Sequence, residues 1–255
     1  MKKGSFALRL FLYASLVSLV WLGGYMVLSK LFFVEEPGRK TEAAPTPVVQ
    51  LPESTAKQWS VLTVTDETGE VTDFWLRYGD FRADVLVFIQ IPVDTKVELA
   101  AGGYEVLKVH NPELPKLFMV SDVCRFFSEE TMCMAVEETG TALLGVRPAE
   151  SYIIDGETYS HLIKREEGRI YFVRPESMEE TIEDVVSNGI TNDTAEAELV
   201  YWESYADLEC IYYMKLPGRD GAQEYVPDED KIAEMMNCLE TGEYDRLEPL
   251  YQERP

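Results

Sequence analysis

Asp94 is the acidic side chain whose place in this sequence most favours a functional role. It follows the stretch FIQIP, which has the apolar character of a buried strand and is broken by Pro92, so the carboxylate stands just past a strand end. Strand ends are where α/β proteins tend to place ligand sites. The neighbouring Val93 suits burial and offers nothing to an anion. Asp94 is therefore a candidate site residue, with a turn or capping role as the alternative.

Common catalytic and metal-binding motifs are absent from the sequence. There is no G-x-x-x-x-G-K-S phosphate loop, no G-x-S-x-G nucleophile turn and no H-E-x-x-H zinc helix. His110 and His161 are isolated, without a spaced Cys or His partner, which is typical of surface residues. The carboxylates are left as the groups whose chemistry needs an explanation.

The four cysteines leave two interpretations open. Cys124 and Cys133 have a spacing that fits neither a zinc knuckle nor C-x-x-C redox chemistry. Outside the membrane a disulfide between them is one interpretation, and packing as small residues is the other. The sequence does not fix their redox state, nor that of Cys210 and Cys238.

Charge excludes one class of partner. The chain has 23 basic and 46 acidic residues, which gives a net charge of −23. Residues 1–40 hold six of the basic and two of the acidic residues, so residues 41–255 keep 17 basic against 44 acidic residues, a net −27. Because a body this acidic repels phosphate backbones, we predict no nucleic-acid binding. The same charge disfavours docking of the folded part on an anionic lipid surface.

The N-terminal residues predict a membrane anchor. Leu10–Ser29 has no charged residue and is long enough for one membrane-spanning helix, and Lys2, Lys3 and Arg9 before it predict a cytoplasmic N-terminus. A cleaved signal peptide is the alternative, but the run is long for one and no A-x-A site follows closely. We therefore predict a single-pass protein of the cell membrane, with a cytoplasmic tail (1–9), a transmembrane helix (10–29), a Pro-rich linker (30–57) and an extracytoplasmic domain (58–255).

Strand and helix patterns alternate along the body. Ala83–Ile91 is nearly continuous apolar, as expected for a strand covered on both faces. Ser128 and Asp228 predict helix starts, and Gly145 predicts the end of the first of these helices. The other predicted elements are strands at 59–66, 73–78, 151–155, 168–174 and 208–218 and a helix at 177–189. This alternation predicts an α/β sandwich with helices packed over a central sheet.

The stretch from Trp59 to Leu162 resembles the LytR-CpsA-Psr family of cell-envelope proteins. VLTVTDETGEVTDFWLRY followed by ADVLVFIQIPVDT is similar to the family run in which R-S-D-T precedes a strand ending I-P-R-D-T. MAVEETGTALLGVRPAESYIIDGETYSHLI is similar to the helix and the strand–helix pair that follow in the family. The order of anchor, linker and body agrees as well, and YMKLPGRDGAQEYVPDEDKIAEMM resembles the family's C-terminal end.

This resemblance implies a fold, a ligand and an activity. Family members have helices packed on a central mixed sheet with an apolar tunnel for a polyprenyl chain, which would lie here between Ala83–Ile91 and Ser128–Leu144. They transfer anionic glycopolymers from polyprenyl-pyrophosphate carriers to peptidoglycan, with the help of a divalent cation. Residue by residue, Asp73 matches the Asp of R-S-D-T and Asp94 that of I-P-R-D-T. The resemblance therefore implies that these two aspartates are catalytic and hold Mg²⁺.

The arginines of the family do not carry over. Val71 stands at the arginine position of R-S-D-T and Val93 at that of I-P-R-D-T. The family's R-x-R and G-R-Q-x-R-Q elements are expected between Gly189 and Leu216, where this sequence has no arginine. Because arginine forks bind pyrophosphate oxygens, the site lacks its anion clamp.

Four cations are candidates to bind substrate from new positions, with a role as surface charges as the alternative: Arg77, Arg82, Lys108 and Arg125. The missing clamp favours a catalytically impaired envelope protein that binds or regulates lipid-linked glycopolymers, with polyprenyl-linked glycan or peptidoglycan as partner. An active phosphotransferase with a rebuilt site and an unrelated anchored interaction domain are the two alternatives.

Overall fold

A mixed seven-stranded β-sheet forms the centre of the structure. The computed structural model describes residues 57–172, 185, 189–192 and 210–253, which all belong to one unit covering Gln50–Pro255. The described strands are β1 (Lys57–Thr65), β2 (Val71–Asp80), β3 (Val85–Ile91), β4 (Lys96–Glu98), β5 (Leu117–Met119), β6 (Glu150–Asp155), β7 (Ile163–Glu166), β8 (Arg169–Phe172), β9 (Ile190–Thr191), β10 (Cys210–Lys215), β11 (Gly218–Asp220), β12 (Tyr225–Pro227) and β13 (Tyr251–Glu253). The central sheet has the order β13–β10–β3–β2–β1–β6–β9.

Short helices and three small two-stranded sheets surround the central sheet. The two-stranded sheets pair β4 with β5, β7 with β8 and β11 with β12. The helices are α1 (Ala101–His110), α2 (Glu129–Leu144), α3 (Gly156–Leu162) and α4 (Glu229–Thr241), with 3₁₀ turns at Val120–Phe126 and Tyr244–Arg246. In the described part of the chain, no helix is both long and apolar enough to cross a membrane. The predicted anchor at Leu10–Ser29 lies outside that part.

The strongly patterned elements form where the sequence predicts them. The apolar run at 83–91 is β3, which is buried along almost its whole length. Helix α2 ends at Gly145, whose φ of 74° is the left-handed conformation that glycine adopts without strain. Asp228 caps α4 by accepting a hydrogen bond from the Lys231 amide at 3.2 Å. The helix predicted at 177–189 lies almost entirely outside the described residues.

Helix α1 was missed by the sequence analysis because two adjacent glycines, Gly102 and Gly103, weaken its helical pattern. Gly103 lies close to α2. A Cβ atom at this position would meet the carboxylate of Glu138 on α2, so a larger residue would require that flexible side chain to move. Leu107 is the buried residue of α1.

Two hydrophobic clusters cover the two faces of the central sheet. The larger one, which we call the helix face, packs β-strand residues such as Val87 and Ile89 together with Ala135 and Val136 of α2 and with α4. The smaller one, which we call the hairpin face, packs strand residues such as Trp75 against α3 and the β7–β8 hairpin. Strand β3 and helix α2, the predicted flanks of a lipid tunnel, thus share one buried cluster, and the tunnel itself stays a prediction.

Candidate functional site

One edge of the sheet collects both candidate aspartates. Strand β1 is parallel to β6, β3 is parallel to β10, and β2 runs antiparallel to both β1 and β3. The ends of β1, β3, β6 and β10 therefore meet at one edge beside the start of β2, and we call it the carboxyl edge. Asp73 lies near the start of β2 and Asp94 just past the end of β3. Such an edge is the usual place for a ligand site in an open α/β sheet.

A β-bulge separates Val71 from Asp73. Val64 pairs with Asp73 whereas Thr65 pairs with Val71, so Thr72 is an extra residue in β2. Without a bulge, residues two apart lie on the same face of a strand. With it, Val71 joins the helix face, whereas Asp73 alternates with Phe74 and comes to lie on the hairpin face. The arginine position and the aspartate position of R-S-D-T, here Val71 and Asp73, therefore lie on opposite faces of this sheet.

Asp73 is half-buried and interacts with the β7–β8 hairpin. Burial raises the pKa of its carboxyl group, and the positive charge of Arg165 in β7 acts in the opposite direction. Arg165 was not among the sequence candidates, because nothing in the run IKREEGRIYF shows that this hairpin folds towards the start of β2. The charge of Arg165 therefore acts on Asp73, although no ion pair joins these two side chains in the described part of the chain.

Asp94 is exposed and interacts with β12 instead. Its carbonyl oxygen accepts a hydrogen bond from the Tyr225 amide at 3.1 Å. The pKa of the Tyr225 hydroxyl is raised, mainly by burial and then by the negative charges of Asp220 and Asp94. The negative charge of Asp94 thus lies close enough to Tyr225 to disfavour ionisation of its hydroxyl group.

Asp73 and Asp94 are the two carboxylates that the family resemblance assigns to Mg²⁺. Among the described residues, no group of three or more His, Cys, Asp or Glu side chains is arranged to hold a metal ion. Proteins usually bind Mg²⁺ through one or two carboxylates, and water and substrate phosphates complete the octahedron. Asp73 and Asp94 fit such a site only if both reach the same ion, so the shared ion stays a prediction.

The valines at the family's arginine positions belong to the hydrophobic core. Val71 is 1% exposed, and Val93 is half-buried and packs against the same helix-face cluster. The Val93 carbonyl oxygen also accepts a hydrogen bond from the Ser121 amide at 2.9 Å. An arginine at Val71 would have to put its guanidinium group among apolar side chains.

Two of the four sequence-predicted cations lie away from the carboxyl edge. Arg77 is 1% exposed in the middle of β2, where its Nε donates to Ser60 Oγ at 2.8 Å and its guanidinium lies 4.8 Å from the Tyr152 ring centre. Arg82 follows the far end of β2, where its amide donates to Asp80 Oδ1 at 3.1 Å. Neither arginine therefore lies at the carboxyl edge with Asp73 and Asp94.

The other two predicted cations are exposed. Lys108 lies in the last turn of α1, with its Nζ 5.2 Å from the Tyr104 ring centre. Arg125 lies beside the β1–β2 turn at the carboxyl edge, where it forms ion pairs with Glu70 at 2.6 Å and Asp122 at 3.2 Å. Of the four, Arg125 is the residue that the fold brings to this edge, and two carboxylates already bind it.

Two lysines also reach the carboxyl edge, one from the end of β10 and one from β4. Lys215 ends β10, and its Nζ lies 3.1 Å from Asp220 and 4.4 Å from the Tyr225 ring centre. Lys96 of β4 forms an ion pair with Glu224. A groove of about 390 Å³ opens between the end of β10 and α4, with Lys215 and Tyr225 among its lining residues. Like Arg125, these two lysines at the carboxyl edge are already bound in ion pairs.

All four cysteines are free thiols, so the disulfide interpretation gains no support from the structure. Cys124, Cys210 and Cys238 are buried and Cys133 is partly exposed. Burial is the main cause that raises the pKa of the Cys124 thiol to about 12. A buried thiol with a raised pKa is unreactive, as expected for a packing role.

Comparison with solved structures identifies the fold. The structure described as TagT bound to LI-WTA superposes with a TM-score of 0.53 at 9% identity, over 76% of this chain and 93% of that chain. The protein yvhJ from Bacillus subtilis, described as a transcriptional regulator, gives 0.52 at 13% identity over 73% and 96%. YwtF (TagT), a LytR-CPS2A-psr family protein with bound octaprenyl pyrophosphate lipid, gives 0.50 at 10% identity over 76% and 93%.

This chain has the LytR-CpsA-Psr fold. The predicted arrangement of helices on a central mixed sheet is thereby confirmed. No family model and no curated protein matches the sequence. At identities this low the likeness extends to the fold, and the roles of individual residues in this LytR-CpsA-Psr-like chain have to be argued from its own geometry.

Proposed function

We propose that this chain is an envelope protein that binds polyprenyl-linked glycopolymers without transferring them. The observation that carries the proposal is the packing of Val71 and Val93 into the core, at two positions where the resembling family has arginines. Two solved structures of the same fold are described as bound to LI-WTA and to octaprenyl pyrophosphate lipid, which supports a ligand of this class.

Loss of the arginines is expected to affect transfer strongly. A charge-assisted hydrogen bond to phosphate contributes about 1.5–3 kcal/mol, so two missing arginines remove about 3–6 kcal/mol. Since about 1.4 kcal/mol corresponds to a factor of ten, transfer would be slower by roughly two to four decades. The net charge of −27 on residues 41–255 adds repulsion towards an anionic carrier.

Asp73 and Asp94 keep a part in this proposal. They would hold Mg²⁺ at the carboxyl edge, where the ion would neutralise pyrophosphate oxygens when bound. Arg165, whose charge acts on Asp73, would add a positive charge near the ligand. These contacts favour binding of the headgroup, but they do not replace a pair of arginine forks on the transferring phosphorus.

The proposal also includes the location of the chain. The uncharged run Leu10–Ser29 anchors it in the cell membrane, and the body lies outside. Protease added to intact spheroplasts is expected to remove the body and leave an N-terminal fragment. Full protection of the chain, with digestion after lysis as the control, would refute this orientation.

An active phosphotransferase is the second candidate, because the charge of Arg165 in β7 acts on Asp73 from an element outside the family motif.

Binding of octaprenyl pyrophosphate is expected for both candidate functions, but not for an unrelated interaction domain. We expect the purified full-length chain to bind this lipid in detergent with a saturable signal, whereas octaprenol without the pyrophosphate should bind at least about tenfold more weakly, as the loss of a charge-assisted contact implies. Absence of saturable binding of the pyrophosphate lipid would contradict the proposal.

A further inference from the structure

A small patch of exposed apolar side chains lies on and just after helix α1. Among the described residues, four large hydrophobic side chains are at least half exposed, and three of them fall within twelve consecutive positions: Val106 (50%), Val109 (77%) and Leu117 (52%). We call these three residues the α1 patch. Val106 and Val109 are three residues apart in the helix, so they are neighbours on its surface. Leu107, by contrast, is the buried residue of α1, and the two valines therefore form an apolar stripe on the solvent side.

The loop after α1 is bound back onto the helix. The Asn111 amide donates a hydrogen bond to the Leu107 carbonyl at 3.0 Å, and the Tyr104 hydroxyl donates one to the Leu114 carbonyl at 3.1 Å. Leu117 follows three residues later, at the start of β5. Since α1 begins three residues after β4, which reaches the carboxyl edge, its first turn also lies close to that edge.

The charge around the α1 patch differs from that of the body as a whole. Residues 100–118 hold two acidic and two basic residues and are therefore neutral, whereas residues 41–255 together carry −27. The two basic residues are Lys108, next to Val109, and Lys116, next to Leu117, and both are exposed. A neutral surface flanked by lysines is the part of an acidic body that an anionic surface repels least.

We propose that the α1 patch docks on a lipid bilayer with anionic headgroups. Val106, Val109 and Leu117 enter the boundary between headgroups and acyl chains. The stems of Lys108 and Lys116 lie along this boundary, and their ammonium groups reach the headgroups.

This inference rests on the proposed location of the chain. The proposed anchor at Leu10–Ser29 keeps the bilayer at a high local concentration, so a weak contact is sufficient for docking. The linker at 30–56 allows the contact, because 27 residues extend to about 80 Å in the polyproline II conformation. Docking through α1 would bring the carboxyl edge close to the headgroups, where the pyrophosphate of a membrane-bound carrier lies.

A second protein molecule fits the α1 patch less well than a bilayer does. A specific protein interface covers about 800 Å² and 20–30 residues on each partner, whereas the patch offers three apolar side chains. A bilayer surface needs no matching shape, and the anchor supplies the remaining affinity.

Photo-crosslinking from within the patch tests the proposal. The full-length chain is placed in nanodiscs of phosphatidylcholine and phosphatidylglycerol, with p-benzoylphenylalanine in place of Val109. The matched control has the same residue in place of Asn237, which is exposed on α4. Mass spectrometry after irradiation separates lipid adducts from covalent dimers. We expect at least about tenfold more lipid adduct from position 109 than from position 237, since burial of one such side chain shifts an equilibrium by about this factor.

Two substitutions separate the apolar from the cationic contribution. Val106→Asp, combined with the photo-reactive residue at position 109, puts a carboxylate into the patch and is expected to lower the adduct yield about tenfold. Lys108→Gln is expected to lower it by up to about fivefold when phosphatidylglycerol is present, and to leave it unchanged in pure phosphatidylcholine. Because both side chains are exposed, each variant should unfold at the temperature of the original chain.

Three results would overturn the docking proposal. They are equal lipid adducts from positions 109 and 237, covalent dimers as the main product at position 109, and an unchanged yield in Val106→Asp. Octaprenyl pyrophosphate binding in detergent should be the same in Val106→Asp and the original chain, and weaker binding would assign the patch to the ligand site instead.

Failure of docking and failure of the proposed function give different results. A chain that binds octaprenyl pyrophosphate in detergent but forms no lipid adduct in nanodiscs refutes docking and leaves the proposed function standing. A chain that does not enter nanodiscs refutes the anchor, and docking with it.

Discussion

On the helix face of the central sheet the buried side chains are predominantly aliphatic, whereas the hairpin face is rich in aromatic rings. Asp73, one of the two candidate site aspartates, lies on the hairpin face near the carboxyl edge. Val71, at a lost arginine position, belongs to the helix face. The β-bulge at Thr72 thus divides the arginine and aspartate positions of the family motif between two faces with different packing.

The aromatic packing of the hairpin face can be compared directly with the aliphatic packing of the helix face. Phe88 and Ile89 are neighbours on β3, both 0% exposed, and they point to opposite faces. Phe88→Ala is expected to cost about 3–5 kcal/mol of unfolding free energy and Ile89→Ala about 2–5 kcal/mol, from lost burial and the cavities left behind. Chemical denaturation measures both values.

Only one of the two variants should loosen the hairpin. The Phe88 ring lies 4.1 Å from that of Phe172 in β8, so its removal takes away the surface on which the hairpin packs. Amide hydrogen exchange in residues 163–172 is expected to speed up in Phe88→Ala more than elsewhere in the chain, but not selectively in Ile89→Ala. Equal exchange patterns in the two variants would show that the faces are not separate packing units.

Val71→Arg tests the β-bulge that divides the two faces. Because Val71 points into the helix face, we expect the variant to lose about 2–4 kcal/mol of stability rather than to gain an anion clamp. Thr72→Arg is the matched control, since the extra residue of the bulge is exposed, and its stability should stay within about 0.5 kcal/mol of the original. A stable Val71→Arg variant that transfers glycan would contradict this assignment of faces.

The sequence predicted correctly those elements whose local residue pattern agrees with their packing in the fold. Strand β3 and helix α2 have continuous apolar character or a clear helical period with a terminal glycine, so local pattern and tertiary packing agree. Helix α1 was missed because its two adjacent glycines weaken the helical pattern. The LytR-CpsA-Psr resemblance predicted the fold correctly, since a fold tolerates many substitutions that preserve buried volume and pattern.

The candidate site was less predictable than the fold. A motif comparison assumes that residues keep their spacing on a face, and the bulge at Thr72 breaks that assumption between Val71 and Asp73. Arg165 was not found for a related reason. Its proximity to Asp73 depends on how the hairpin folds back over the sheet, which is a long-range contact without a local sequence signal.

A smaller effect distinguishes a capping carboxylate from a site carboxylate at the same edge. Asp155 follows β6 and accepts a hydrogen bond from the Thr158 amide at 2.7 Å, and this contact lowers the pKa of its carboxyl group. Asp155→Ala is expected to cost about 1 kcal/mol through loss of the α3 cap. Because the folded pKa is lowered, this contribution is complete above the ordinary aspartate pKa of 3.8 and disappears as the pH falls through the folded pKa. Denaturation at neutral and acidic pH measures the difference.

The Asp73 carboxyl group should change stability with pH in the opposite direction to that of Asp155. Burial raises the pKa of its carboxyl group, so its ionisation opposes folding as the pH rises through the folded pKa. Asp73→Asn is therefore expected to be slightly more stable at neutral pH, by less than about 1 kcal/mol because the group is partly solvated. Well below the ordinary aspartate pKa of 3.8 the variant should equal the original chain in stability. A loss of stability at neutral pH would show that Asp73 forms a stabilising ion pair with Arg165.

Transfer of a lipid-linked glycan to peptidoglycan tests the central proposal most directly. The full-length chain is assayed with Mg²⁺ beside an active LytR-CpsA-Psr family member, at lipid concentrations that saturate binding in both. We expect the chain to retain the lipid and to turn it over at least about a hundredfold more slowly, in line with two missing charge-assisted contacts. Turnover at a rate similar to that of the active family member would contradict the proposal and establish the chain as a phosphotransferase with a rebuilt site.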